Sequence, residues 1–584
     1  MKAYFRILTI IVLGISTILM AQNNPATEGK ITAKLQHRME RVSTNDIIAA
    51  WIFFTDKGSN PIQKLDEVEQ NLLPESYERR LRNRPAEKLV DMYDVPVEKA
   101  YIKQISPLVS KVRHKSRWLN AVSVEASREA LEHIAGLSFV KKIDLVFQKT
   151  EPVKDRIEDL PAKSQQPAGT ESLNYGPSFD QNNQINVPAL HNMGYDGSGV
   201  IVAMLDAGFI NLEHEALQHL DILHTWDFVN GDSIVDDEPG QMGSGYHGTY
   251  TLSTLAGFKE GELIGPAYGA SFLLAKTENT DYERHIEEDN WVAGAEWADS
   301  LGADIISSSL GYRDGFTPPD TNYTWEDMDG NTTIVTIGAD IAASRGILVV
   351  NSAGNEGPAS GNINTIIAPA DGDSVLAIGA VNSSGIRANF SSMGPTADGR
   401  IKPDVVARGV DTYCASPWTS GYSGVSGTSL SCPLVAGAAA LVLQANPNFS
   451  NMDIINAFKN TASQSQNPDN EYGWGIINTY DAAFYLTGIS TGEEPIVTGY
   501  QLLANYPNPF NPETTIRYQV KNSGKVKLAV FNSLGQKVAD LDNNYRATGS
   551  YQLTWNAENL ASGIYYIVLE TPRNRAVQKA LLMK

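Results

Sequence analysis

Gly427-Thr428-Ser429-Leu430-Ser431-Cys432-Pro433 leads into residues 434–443, LVAGAAALVL, and the reading of this stretch decides the rest. The alanines and glycine of 434–443 suit a helix held in close contact with its neighbours, so the stretch reads as a tight turn into a core helix. Pro433 fits the first turn of such a helix, where its missing N–H leaves nothing unpaired. Ser429 then stands at a helix N-terminus, where free N–H groups and the positive dipole end favour developing negative charge. It is a candidate nucleophile, better placed than Ser431. A lone Gly-Thr-Ser is more often only a turn, so the role of Ser429 depends on the chain around it.

Towards the N-terminus, residues 200–205 (VIVAML) form a continuous apolar run, as expected of a parallel strand buried on both faces. Residues 271–275, 304–307, 347–350 and 375–378 are similar short runs, with helix candidates at 292–301 and 334–345 between them. Strands alternating with helices predict an α/β, doubly wound, mostly parallel sheet over roughly 176–487, with functional groups beyond the carboxyl ends of its strands.

The flanks differ. Residues 22–165 order as strand (47–54, IIAAWIFF), charged helix (74–100, broken near Pro85 and Pro96), strand (116–125), short helix (127–135) and strand (139–146), which predicts a small α+β domain. Residues 151–175 are polar, rich in Pro, Gln and Ser, and read as an exposed linker. Residues 488–499 (GISTGEEPIVTG) read as a junction, and 500–584 as a small antiparallel β-sandwich built from the alternating runs 515–520, 526–531, 551–555 and 564–569. The expected division is 1–21, 22–165, 166–487, 488–499 and 500–584.

The first 21 residues carry Lys2 and Arg6 before an apolar stretch, 7–20, and Ala21, the pattern of a cleaved secretory signal peptide. No later run reaches 18 apolar residues, so no transmembrane span is expected in the mature protein. The net charge of −21 is uneven: residues 166–494 hold 10 Lys and Arg against 41 Asp and Glu, while 1–165 and 495–584 are each +5. An acidic middle argues against nucleic acid as a partner, since phosphate binding needs a basic surface. It also offers the basic N-terminal part a surface on which to dock. The two cysteines, Cys414 and Cys432, leave two readings open, one disulfide or two buried free thiols.

Four residues stand where strands or loops meet helices or Gly-rich turns. Asp206 closes the 200–205 strand, His247 lies in Tyr246-His247-Gly248-Thr249 before a helix-like 250–256, and Asn355 lies in Ser352-Ala353-Gly354-Asn355-Glu356-Gly357. Ser429 is the fourth. Singly they read as an N-cap, a loop histidine, a turn residue and a turn serine. Together they fill four chemical roles: a hydroxyl nucleophile needs a base, the base an orienting carboxylate, and a tetrahedral oxyanion needs donors. Their order, Asp…His…Ser, separates this chain from lipolytic enzymes with a G-x-S-x-G elbow and another order.

On these motifs, residues 176–487 resemble the subtilases, the subtilisin-like serine proteases. VAMLDAGF (202–209), YHGT (246–249), SAGNEG (352–357) and GTSLSCP (427–433) carry the likeness, with ANFSSMGP (388–395), KPDVV (402–406) and YGWGIIN (472–478) between and after them. The resemblance implies catalytic Asp206, His247 and Ser429, an oxyanion donor in Asn355, and substrate-binding residues Ser309, Leu310, Gly311, Ser352, Ala353 and Gly354. It implies an endopeptidase acting on protein or peptide substrates through an acyl-enzyme, with no cofactor needed for the chemistry. Ala207, where the family often has Thr or Ser, and the absence of a second His after His247 are departures outside the triad. Residues 22–165, above all WLNAVSV (118–124), resemble a subtilase prodomain, which implies an intramolecular inhibitor and self-cleavage within 150–175. Residues 500–584, with NYPNPFNPETTIR (505–517) and SGIYY (562–566), resemble the sorting domain of type IX secretion substrates. That implies secretion machinery as a partner and a product secreted or attached at the cell surface. Subtilases often bind calcium at loops, and 227–238 (DFVNGDSIVDDE) and 327–331 are oxygen-rich, so a structural calcium ion is one expectation and a solvated acidic surface the other. A binding protein on a decayed protease scaffold would lack at least one of the four groups, and none is missing.

Overall fold

A computed structural model describes residues 29–43, 46–146, 173–281, 284–314, 322–358, 364–485, 501–502, 510, 512–520, 524–546, 549–571 and 575–582. The expected leader, most of the 151–175 linker and the 488–499 junction lie outside the described residues.

The N-terminal domain is a four-stranded antiparallel sheet in the order Lys111–Ser116, Ala121–Ser127, Ile47–Phe54, Val140–Leu145. Because strand side chains alternate, Ile48, Ile52, Val122 and Val124 share one face, where they pack with Leu35 and Met39 of helix Ala33–Arg41 and Leu131 and Ile134 of helix Arg128–Ala135. Ser127 caps the second helix through the Ala130 amide, so the strand ends where the helix begins. The single strand expected over 116–125 is a hairpin instead, turned at 117–120 with Asn120 in the left-handed region.

The central domain is the expected doubly wound sheet. Seven parallel strands lie in the order Val405–Arg408, Val375–Val381, Leu348–Ser352, Ile305–Ser308, Ile201–Asp206, Ser271–Lys276, Asp221–Asp227. Val202 and Met204 face one side with Phe272, Leu274, Ile305, Val350 and Ile378, and there they meet helix Thr428–Ala445. Ala203 and Leu205 face the other side with Leu273, Ile306 and Val349, against helices Ile286–Ser300 and Ile334–Ser344. Strand Ile201–Asp206 has the later strand Ser271–Lys276 on one side and Ile305–Ser308 on the other, so the winding reverses at its edge and opens a crevice beyond Asp206. Helix Thr428–Ala445 is long and apolar enough to cross a membrane by length and composition, but 89% of it is buried as the core helix of this domain.

The described C-terminal strands form two larger antiparallel sheets, Gln501–Leu502, Glu513–Val520 and Gly549–Asn556 in one, and Lys537–Asp542, Lys527–Asn532, Gly563–Glu570 and Arg575–Leu582 in the other, with Gly524–Lys525 and Tyr545–Arg546 as a short separate pair. Ile516, Tyr518 and Trp555 from the first pack with Leu528, Val530, Ile567 and Leu569 from the second, which makes the expected sandwich.

The N-terminal domain docks on the central one through charge, as the uneven distribution predicts. Asp289 of helix Ile286–Ser300 accepts from Trp51 Nε1 (2.6 Å), from Ser123 Oγ and from Arg113 (2.9 Å). Glu296 accepts from Ser116 Oγ (2.5 Å) and the Arg117 amide (3.1 Å). Helix Pro74–Asn83 brings two fully buried guanidinium groups, Arg79 and Arg80, to Asp299; Arg80 also pairs with Asp94 (2.7 Å). Arg345 of the central domain reaches back to Asp91 (2.6 Å) and Asp94 (2.8 Å).

Candidate active site

The four residues singled out in the sequence lie at the carboxyl end of the sheet. Asp206 is the last residue of its strand and fully buried. Its Oδ1 accepts from the Ala207 amide (2.8 Å) and from His247 Nδ1 (2.6 Å), and its Oδ2 from Thr251 Oγ1 (2.9 Å). An ionised carboxylate only accepts, so the proton between them sits on His247 Nδ1 and leaves Nε2 as the acceptor face of the ring. His247 and Thr251 reach the same carboxylate because residues four apart share a helix face.

The helix carrying them, Tyr246–Ala256, starts earlier than the 250–256 expected, and His247 is in its first turn rather than in a loop. Gly248 makes the close approach: a Cβ there would lie 2.1 Å from the Gly208 carbonyl oxygen. Any side chain would push the His247 turn away from the Asp206 loop.

Ser429 is in the first turn of helix Thr428–Ala445, which also begins earlier than expected. Pro433 is therefore the sixth helical residue and not a first-turn proline. Its missing N–H would have bonded the carbonyl four residues back, which is Ser429's. That carbonyl accepts from Ser309 Oγ instead (2.9 Å), so the proline inside the helix frees the Ser429 carbonyl to bond a residue of the neighbouring strand end. At Gly427 the need is space: a Cβ would stand 2.7 Å from Ser429 Oγ and 3.6 Å from Asn355 Nδ2, so the hydroxyl and the amide flank one small volume.

Asn355 follows strand Leu348–Ser352 and is solvent-exposed. Its Oδ1 accepts from the Thr428 amide and from Thr428 Oγ1, both at 2.9 Å, which fixes the amide orientation and turns Nδ2 toward the space above Gly427. Ser309, Leu310 and Gly311 run on from strand Ile305–Ser308. Asn351 Nδ2 holds the Leu310 carbonyl (2.9 Å), and a Cβ at Gly311 would meet Ile367 Cδ1 at 1.8 Å. Ser352, Ala353 and Gly354 are buried below them; Ala353 N–H bonds the Ile378 carbonyl (2.9 Å) and the Gly354 carbonyl accepts from Ser392 (3.0 Å).

Sequence reasoning overlooked Thr251 and Thr428, which orient Asp206 and Asn355. Both could have been found, Thr251 from its four-residue spacing to His247 and Thr428 from its place beside Ser429. Cys414 and Cys432 are both free and buried; burial pushes the Cys432 thiol up to about 12, so it is inert beside Ser429.

The oxygen-rich loops are committed elsewhere. Asp227 accepts from the Val229 and Asn230 amides (2.7 and 2.9 Å), Asp232 from Ile234 and Gln241, and Asp237 from Ser244 and Gly245. Asp327 caps a helical turn at Thr324, and Asp329 holds the Asn331 and Thr332 amides. Among the described residues no group of three or more His, Cys, Asp or Glu is placed to hold a metal ion. These carboxylates bind their own loops.

A doubly wound sheet with a buried carboxylate–histidine pair and a helix-borne serine beyond its strand ends defines a hydrolytic enzyme of the serine type. Comparison with known proteins narrows this. Residues 197–475 match the subtilase family, 49–164 match the peptidase S8 propeptide domain of Bacteroidota, and 504–583 match a secretion system C-terminal sorting domain. Subtilisin NAT of Bacillus subtilis subsp. natto is 37% identical over 317 residues, covering 54% of this chain and 72% of its own length. Subtilisin of Bacillus pumilus is 36% identical over 317 residues, 54% of this chain and 99% of its own. Subtilisin BL of Lederbergia lenta is 34% identical over 296 residues, 50% of this chain and 94% of its own. The chain belongs to the subtilase family. It is a serine endopeptidase, made as a zymogen with a propeptide and exported by the type IX route to the surface or beyond.

Proposed function

We propose that Ser429, His247 and Asp206 are the catalytic triad and that Asn355 completes the oxyanion site. Ser429 Oγ attacks the scissile carbonyl carbon, and its proton passes to His247 Nε2. Asp206 holds the imidazole in the Nδ1–H tautomer and stabilises the imidazolium, which then protonates the leaving amine. Water repeats the cycle on the acyl-enzyme and regenerates the serine. Asn355 Nδ2 and the Ser429 backbone N–H donate to the oxyanion; removing such an amide from a subtilisin lowers the rate by about 10²–10³. Ser309, Leu310 and Gly311 form the edge along which substrate extends, with Ser352, Ala353 and Gly354 as the floor beneath it. The observation that carries this reading is the 2.6 Å bond between His247 Nδ1 and buried Asp206, in the first turn of a helix that Gly248 seats against the Asp206 loop.

The flanks complete the reading. Residues 1–21 are a leader, 22–165 a prodomain that inhibits the enzyme until self-cleavage within 150–175, and 500–584 the domain read by the secretion machinery. Ser429→Ala supplies the test: the purified precursor keeps its N-terminal domain and loses about 10⁶-fold in cleavage of casein or a tetrapeptide anilide, the scale found for loss of the same serine in a subtilisin. A Ser429→Ala protein that cleaves as fast as the parent refutes the assignment.

A further inference from the structure

A second carboxyl group lies beside the Asp206–His247 pair. Strand Ser271–Lys276 runs parallel to strand Ile201–Asp206, with Lys276 opposite Asp206, and the next amide, Thr277 N–H, bonds the Asp206 carbonyl (2.9 Å). Glu278 follows. The chain then passes against the loop leading to His247: Ser244 N–H bonds Thr280 Oγ1 (2.6 Å) and Gly243 N–H bonds Asp281 (3.0 Å). Glu278 is thus held between one backbone contact to Asp206 and two to the approach of His247. Its side chain is buried, and Oε1 accepts from the hydroxyl of Tyr312, which is itself fully buried. Tyr312 directly follows Ser309-Leu310-Gly311, and its backbone is pinned to Ala368 in both directions (2.9 and 3.2 Å).

We propose that Glu278 is a positioning residue for the peptidase reaction, a buried carboxyl strut that Tyr312 ties to the substrate edge and that acts on the chemistry through His247. The proposal rests on the triad reading above. Burial and the nearby Asp206 and Glu288 carboxylates raise the Glu278 carboxyl to about 7, against the pull of the Tyr312 hydroxyl and of His247. Glu288 is engaged by His285 (2.6 Å), Tyr323 (2.9 Å) and the Val335 amide (3.3 Å), so it is a fixed neighbour rather than a second partner for His247. A glutamine would accept the same hydrogen bond without placing a third acid in this space, so the hydrogen bond alone does not account for a glutamate here. What the carboxylate adds is charge: when ionised it favours the imidazolium that forms as Ser429 gives up its proton.

The test compares Glu278→Gln with the parent in the processed full-length enzyme, active sites counted with a serine-directed inhibitor, using a tetrapeptide anilide from pH 5 to 10. With the charge gone the imidazole loses its proton at lower pH. The acid limb of kcat/KM moves down by less than about 1 pH unit, since the carboxyl is itself largely protonated below pH 7, and kcat falls on the order of tenfold with KM nearly unchanged, below the 10² that a 1 Å misplacement costs. Glu278→Asp keeps the charge and restores part of kcat. Tyr312→Phe, which frees the Glu278 carboxyl from its anchor, lowers kcat in the same direction and serves if Glu278→Gln fails to mature. A folded, titratable Glu278→Gln or Tyr312→Phe enzyme whose pH profile and kcat superimpose on the parent overturns the proposal. The triad reading fails separately, through Ser429→Ala.

Discussion

Two surfaces are sealed against the central sheet domain, and they are built from opposite chemistry. Helix Thr428–Ala445 closes one side with Cys432, Leu434, Val435, Ala438, Leu441 and Val442, all without solvent exposure. On the other side, the N-terminal domain lies over the helices that cover the sheet, held by Arg79 and Arg80 on Asp299, Arg345 on Asp91 and Asp94, and Arg113 on Asp289. An apolar contact cannot open without exposing its surface to water, so it suits a helix that stays for the life of the enzyme. Paired charges are awkward to bury but soluble once parted. That suits a propeptide that must seat firmly, then leave both faces compatible with water.

Asp299→Ala should produce the largest break. It leaves Arg79 and Arg80 buried without the carboxylate they share and deprives Arg117 of its 2.7 Å partner. Stranding buried charge costs about 3–5 kcal/mol. In a Ser429→Ala background, the N-terminal domain of this variant should be digested by an added protease at concentrations that leave the parent intact. Equal resistance would mean that the ion pairs do not hold the domain.

Leu441→Ala probes the other surface and should be somewhat milder, about 2–5 kcal/mol as a cavity in a packed core. The melting temperature of the central domain falls while protease resistance of the N-terminal domain below that temperature is unchanged. If docking weakened as much as in Asp299→Ala, the two surfaces would be one cooperative unit and the contrast would collapse.

The same contrast explains what could be read in advance. The buried strands were legible because a strand covered on both faces is an unbroken apolar run, as at 200–205 and 347–350. Edge strands Asp221–Asp227, Lys537–Asp542 and Arg575–Leu582 escaped because one face meets water and charged residues interrupt the run. In the site, the four chemical groups were legible from residue type and chain order. The early start of helix Thr428–Ala445 was not, because Gly, Thr and Ser read as a turn and Pro433 as a first-turn residue. Only a long-range partner, the Ser309 hydroxyl, makes a proline acceptable one turn further in. The meaning of Glu278 was not legible, since it depends on Tyr312, 34 residues away. Docking was legible as charge asymmetry but not residue by residue.

The smallest effect is the most discriminating, because two carboxylates in one interface shift in opposite directions. Burial would raise Asp299, but Arg79, Arg80 and Arg117 outweigh it and hold its carboxyl down to about 2. Burial carries Asp289 up to about 6 despite Arg113, Ser123 and Trp51, and raises Glu296 as well. A freely exposed Asp titrates near 3.9 (roughly, for model peptides). Between pH 6 and about 4 Asp289 and Glu296 bind protons more readily docked than undocked, which tightens docking as pH falls, while His114, buried against Asn290 of the same interface and held down to about 4, works against them. Below about 4 the undocked Asp299 takes up a proton that the docked one resists until about pH 2, so docking weakens as pH falls further. In a His114→Asn protein that opposing contribution is gone, and tightest association is expected near pH 4. The measurement is co-elution of the two parts of a Ser429→Ala precursor, cut by an added protease at a site engineered between 151 and 165, across pH 3 to 8. In the His114→Asn background, Asp289→Asn should abolish most of the rise from pH 6 to 4 and keep the fall below it. A monotonic profile in the His114→Asn protein would show that Asp299 and Asp289 do not titrate as separate members of this interface.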